Sequence, residues 1–214
     1  MLRIEVDARS LGMSNSAIAG TKDVTSSYGN PAGLVRMEDD FQVAAMHAEI
    51  FAGIAAYNYF GLGVKLDERS ALSFSLIRFG VDDIPNTARL IDNEGNIDFN
   101  RVTFFSAADY AGIVSYSRKT NIDGLTFGGS AKIIHRKVGD ISQAWGFGLD
   151  AGAQFVKNKW TFAAMGRDIT GTCNAWSSDL DEETQKTFLA TGNELPGNSV
   201  EVTVPELLLG INRA

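Results

Sequence analysis

Residues 144–156 read AWGFGLDAGAQFV, from Ala144 to Val156. The odd positions are Trp145, Phe147, Leu149, Ala151, Ala153 and Phe155. The even positions are Ala144, Gly146, Gly148, Asp150, Gly152, Gln154 and Val156. Successive side chains of an extended chain point to opposite sides, so this alternation predicts a strand with two unlike faces. One face is apolar and aromatic. The other is small and polar.

The pattern recurs in both directions along the chain. In 125–136, Leu125, Phe127, Ala131 and Ile133 share one face, and Thr126, Gly128, Ser130 and Lys132 share the other. Weaker versions occupy 41–48, 52–65, 70–79, 110–117, 160–166 and 206–212, which makes eight predicted strands. The four prolines (Pro31, Pro85, Pro196 and Pro205) fall outside these runs or at a strand start, where a missing N–H is tolerated.

The polar face decides between architectures. A soluble sandwich presents Lys, Glu and Thr to water, whereas here that face is Gly, Ser, Ala, Asn and Gln. Segments 41–48, 52–64, 110–117, 125–131 and 160–166 contain no Asp, Glu, Lys or Arg. Small residues inward and apolar residues outward predict an all-β, antiparallel transmembrane β-barrel. A β-sandwich with its aromatic residues inside is the competing fold. On the barrel reading, Lys132, Gly146, Gly148, Asp150, Gly152 and Gln154 face the lumen, with Lys132 the candidate partner of Asp150. Tyr57, Tyr59, Phe60, Trp145, Phe155 and Trp160 are candidates for interfacial aromatic girdles.

Loop parity agrees with a barrel, except that the connection after the first strand (49–51) is short despite its external parity. Long connections (80–109 and 167–205) follow the third and seventh strands, and short ones (66–69, 118–123 and 157–159) follow the second, fourth and sixth. Outer-membrane barrels show this asymmetry, with long loops on the external side. Of the 26 acidic residues, six lie in 81–109 and eight in 167–206. The formal net charge of −7 is therefore largely a property of two loops. Asp82, Asp83, Asp92 and Glu94 are candidate external-loop contacts.

Composition excludes several functions. An acidic chain lacks the basic face of a nucleic-acid binder. One cysteine, Cys173, and two histidines, His47 and His135, leave no metal or cofactor site to expect. The run Asp92-Asn93-Glu94-Gly95-Asn96 lacks the closing glutamate of a calcium loop. No G-x-S-x-G elbow occurs, and nothing points to an enzyme.

Residues 9–37 do not alternate, and 1–40 read as a compact segment that fills the lumen ahead of the strands at 41–214. Tyr28-Gly29-Asn30-Pro31-Ala32-Gly33-Leu34 resembles the segment preceding the first strand of FadL-like and PorV/PorQ-like outer-membrane barrels. Ala8-Arg9-Ser10-Leu11-Gly12-Met13 resembles the opening of the PorV/PorQ group, although Ser14-Asn15-Ser16 replaces its usual glycines. Gly80–Thr87 with Asp92–Gly95 resembles that group's first long loop. Phe105–Ala111 and Ser115–Ser117 resemble its re-entry into the next strand.

The resemblance implies an outer-membrane barrel of about fourteen strands with an N-terminal hatch. In it, Asn30, Pro31, Ala32, Gly33 and Leu34 form the hatch motif. Eight strands, the last at 206–212, then read as a partial barrel, with closure of the smallest barrel size as the alternative. The resemblance also implies a non-enzymatic role in type IX protein secretion, in contact with outer-membrane lipid, the translocon and the C-terminal domains of secreted cargo. The alternative is a FadL-like transporter of hydrophobic small molecules.

Overall fold

A computed structural model describes residues 4–14, 16–91, 95–180 and 182–213. Its framework is one antiparallel sheet, built from β1 (Phe41–Ile50), β2 (Ala55–Asp67), β3 (Ser70–Asn86), β4 (Thr103–Lys119), β5 (Leu125–Val138), β6 (Ser142–Lys157), β7 (Trp160–Arg167), β8 (Thr172–Ser178), β9 (Ser199–Thr203) and β10 (Glu206–Arg213). The order is β1-β2-β3-β4-β5-β6-β7-β10, with β8 on β6 and β9 on β8. The sheet curls into a half-barrel.

All eight strands read from the alternation are present. Two more, β8 and β9, lie in the connection expected to be a loop at 167–205, together with helix α3 (Glu182–Ala190). The connection expected at 80–109 is also shorter than read. β3 runs on to Asn86 and β4 begins at Thr103, paired as Asn86↔Thr103 across a bulge between Val81 and Ile84. Asp83 takes a left-handed backbone there, with φ of 57°. Acids, a proline and a bulge hide a strand from a period-two reading.

The sheet has two faces of different chemistry. The concave face carries Tyr57, Tyr59, Ser75, Ile113, Ser115, Ser130, Lys132 and Gln154, all buried. The convex face carries large apolar side chains in the open, including Phe74, Val114, Phe127, Ile133, Phe147 and Leu209. Tyr57 and Tyr59 therefore do not belong to an outward aromatic girdle. They point inward, and with Val6, Tyr28, Ile77, Ala111, Ile113 and Ile134 they form the main core. Trp145 and Trp160 are outward and exposed.

Residues 4–10 and 17–37 lie on the concave face. Helix α1 (Ala8–Gly12) is capped by Asp7, which accepts from the N–H groups of Arg9 and Ser10. A short helix, α2 (Ser26–Gly29), leads into a 3-10 helix (Pro31–Arg36) with proline in its first turn. Residues 30–35 are all buried. Among the described residues, no helix is long and apolar enough to cross a membrane.

Candidate functional site: the interface between the N-terminal segment and the sheet

Asn30 organises the turn into the 3-10 helix. Its Oδ1 accepts from the Ala32 N–H at 3.1 Å, and its Nδ2 donates to the Ile18 carbonyl at 3.2 Å and the Ala153 carbonyl at 3.4 Å. The sheet approaches this turn through missing side chains. An added Cβ at Gly152 would lie 2.1 Å from Asn30 Oδ1, and one at Gly128 2.3 Å from the Pro31 carbonyl carbon. Pro31 and Ala32 thus rest directly on sheet backbone. Gly33 is bounded on its other side, where a Cβ would lie 2.3 Å from the Thr21 carbonyl oxygen. Leu34 is fully buried in a second cluster with Val24, Val35, Met37 and Ala71.

Hydroxyl donors of the sheet satisfy the segment's carbonyl groups, which a wholly apolar wall would leave unpaired. Ser117 Oγ and Thr126 Oγ1 donate to the Ala32 carbonyl at 3.2 and 2.8 Å. Ser115 and Ser130 both donate to the Ser27 carbonyl at 3.2 Å. Gln154 Nε2 donates to the carbonyls of Ile18 and Thr21 at 3.0 and 3.2 Å, while its Oε1 accepts from Arg36 Nη1 at 2.8 Å. In the sequence these serines count only as small residues. Their work as donors depends on a backbone that comes from elsewhere in the chain.

The second half of the interface is ionic. Lys132 and Gly148 are register partners, and the missing side chain leaves room for the lysine stem. Lys132 Nζ lies 2.8 Å from Asp150 Oδ1 and 2.6 Å from Asp168 Oδ1, with all three side chains nearly excluded from water. Asp150 Oδ1 also accepts from the Asp168 N–H at 2.7 Å. Thr172 Oγ1 donates to Asp168.

This cluster sits where β6 changes partner. Residues 151–157 of β6 pair with β7, and 142–147 pair with β8. Asp168 has a left-handed φ of 54°, which carries the chain out of β7 toward β8. The cluster thus pins the fork of the sheet.

Next to it, Arg167 joins the sheet to the start of the chain. Its guanidinium lies 3.4 Å from Glu5 Oε1 and 4.9 Å from the centroid of the Tyr28 ring. Burial raises the Glu5 carboxyl above its ordinary range, and the Arg167 charge and hydrogen bond partly offset this. Glu5, Arg167 and Asp168 were not singled out from sequence. The available signal was two charges directly after the uncharged run at 160–166. Gly146 lies on the same face, where a Cβ would lie 2.2 Å from Asn174 Oδ1.

The acidic loop residues lie apart from this interface. Asp82 is exposed, with its oxygens 2.6 and 2.9 Å from Arg78 Nη2. Asp83 is exposed at the bulge. Asp92 and Glu94 lie outside the described residues. Among the described residues, no group of His, Cys, Asp and Glu is arranged to hold a metal ion. Chemically, the interface is a seal, with fixed hydrogen bonds and a dry ion cluster. No family model matches the chain, and neither does any curated protein.

Proposed function

We propose that this chain forms part of the wall of an outer-membrane β-barrel whose inner side is sealed by its own N-terminal segment. The observation that carries this reading is the convex face. Described outward positions between Phe41 and His47, Phe60 and Val64, Leu72 and Leu76, Tyr110 and Tyr116, Phe127 and His135, and Trp145 and Phe155 include no Asp, Glu, Lys or Arg. On β6 this band covers about 33 Å of strand, or about 25 Å at a tilt of roughly 40°, which is the height of a barrel's apolar belt; on β3 and β4 it is bounded by the outward Arg78 and Arg118, in the rows of Trp145 and Ala153. A soluble protein exposing so wide an apolar face would aggregate.

A sealed wall favours a docking role over conduction. The sequence likeness to the PorV/PorQ group supports the finer reading, an accessory or cargo-handling role in type IX protein secretion. The FadL-like transport alternative needs a ligand path on the concave side, and Asn30, Pro31 and Gln154 occupy that side.

Nitroxide labels test the wall. In lipid vesicles, labels at Phe147 and Ile133 are expected to be accessible to oxygen and shielded from a water-soluble nickel chelate, whereas a label at Glu49 shows the reverse. Equal chelate access at all three sites would overturn the reading. For the secretion role, the expected result is co-purification with a translocon barrel from native membranes. Purification without it under conditions that keep other membrane complexes intact would count against that role.

A further inference from the structure

Among the described outward strand positions, Gly112 and Gly129 have no packing reason to be glycine, and of the two only Gly112 lines a cavity. Concave glycines such as Gly128, Gly148 and Gly152 are forced, because an added Cβ would lie about 2 Å from a neighbour. At Gly112 on β4, an added Cβ would meet only Leu76 Cδ2, at 3.9 Å, and the backbone is ordinary. The glycine leaves a notch between its register partners Leu76 and Ile133. Phe60 extends the apolar floor, and the open cavity measures about 450 Å³.

The rim above this floor is polar and continuous. Asn58, Arg78, Tyr110, His135 and Trp145 are successive register partners across five strands. Arg78 Cζ lies 6.0 Å from the Tyr110 ring centroid. Tyr110 stacks on His135 at 6.3 Å, and His135 lies 4.3 Å from Trp145. Asp82 engages one guanidinium nitrogen, Nη2, and the guanidinium also donates to the Tyr110 side chain. A guanidinium has five N–H donors, so these two partners do not use up its capacity.

We infer that the Gly112 notch is a binding site for one phosphate-bearing diacyl lipid. The acyl chain lies on Phe60, Leu76 and Ile133, and the phosphate meets Arg78 on the rim. The occupant follows from charge and position. The rim carries a guanidinium over an apolar floor, which complements an anion joined to hydrocarbon. Aromatic rings beside it match the headgroup level of a bilayer. This inference rests on the membrane reading above.

The test uses the full chain in detergent micelles, with Trp160→Phe and Trp176→Phe so that Trp145 reports alone. The probe is phosphatidylglycerol brominated in both acyl chains, since bromine quenches tryptophan only at close range. Quenching is expected to saturate at a low lipid mole fraction. Gly112→Leu, whose side chain fills the notch, is expected to abolish the saturable part. Arg78→Gln is expected to raise the half-saturation point ~10-fold, and brominated diacylglycerol, which lacks the phosphate, is expected to bind correspondingly weakly. Saturation unchanged by Gly112→Leu would overturn the notch, as would quenching linear in lipid for both proteins, and either result leaves the membrane reading intact. No quenching of Trp145 at any lipid content would overturn both.

Discussion

A lysine between two carboxylates is tolerable out of water only while all three groups are present. Lys132 Nζ is the shared partner of Asp150 and Asp168, so Lys132→Met leaves two buried carboxylates without their cation. Removing one partner of a buried ion pair costs about 3–5 kcal/mol, and urea unfolding is expected to show a loss of that size. Adding Asp150→Leu to Lys132→Met is expected to restore part of it, because one orphaned charge goes with the lysine. A double variant no more stable than the single one would mean that the cluster does not act as a unit.

Glu5 gives a second residue-scale test, through pH. Its folded carboxyl is raised above the ordinary 4.5, with burial the largest cause. A raised acid binds its proton more tightly in the docked state. Docking of the N-terminal segment is therefore strongest below the ordinary glutamate range and weakens as pH rises through the raised value. Amide exchange in residues 5–12, corrected for intrinsic rates, is expected to slow from pH 8 to pH 5. Glu5→Gln is expected to flatten that dependence, and Arg167 and Asp7 are the charged neighbours that set the remainder.

At the scale of elements, β5 and β6 differ in what their two sets of glycines do. Gly152→Val drives a branched side chain into Asn30, and overpacking of this kind costs about 1–3 kcal/mol. The expected readout is protease cleavage within 30–36 in the variant, with the wild type, whose residues 30–35 are buried, expected to resist it. Gly129 points the other way, and a Cβ there meets only the Asp150 carbonyl oxygen at 3.5 Å. Gly129→Ala is expected to stay within about 0.5 kcal/mol of wild type. Equal effects at both positions would contradict the two-faced sheet.

The same elements explain what could be read from sequence. The strand pattern of β5 and β6 was legible because their faces contrast large with small. β8 and β9 were not, since Thr172–Ser178 and Ser199–Thr203 are short and lack that contrast. Their strand character comes from pairing with β6 and with each other, which local periodicity does not encode. The pairing of Lys132 with Asp150 was readable from neighbouring strands. Asp168 entered the cluster only through a left-handed turn at the fork of β6, and Glu5 only through the docking of the N-terminal segment.

At the scale of the molecule, the sheet has two lateral edges. Among the described residues, β1 pairs only with β2 on one side, and on the other the fork leaves two edge strands, β10 on β7 and β9 on β8. Each edge strand therefore presents a row of N–H and C=O groups that its neighbour does not bond. In water such an edge is a tolerable liability. Inside a bilayer it is not, because each unpaired backbone group in hydrocarbon costs several kcal/mol and lipid offers no partner.

The membrane proposal therefore makes a demand on β1 that a water-soluble half-barrel does not. Amides of Phe41–Ile50 directed away from β2 should be hydrogen-bonded whenever the protein sits in its native membrane. Hydrogen exchange on membranes labelled before extraction measures this strand by strand. Slow exchange is expected along all of β1, comparable to the doubly paired β4. If alternate amides of β1 exchange as fast as those of loop 120–124, the edge is open to water. The chain would then not stand in a bilayer as a wall, however apolar its convex face.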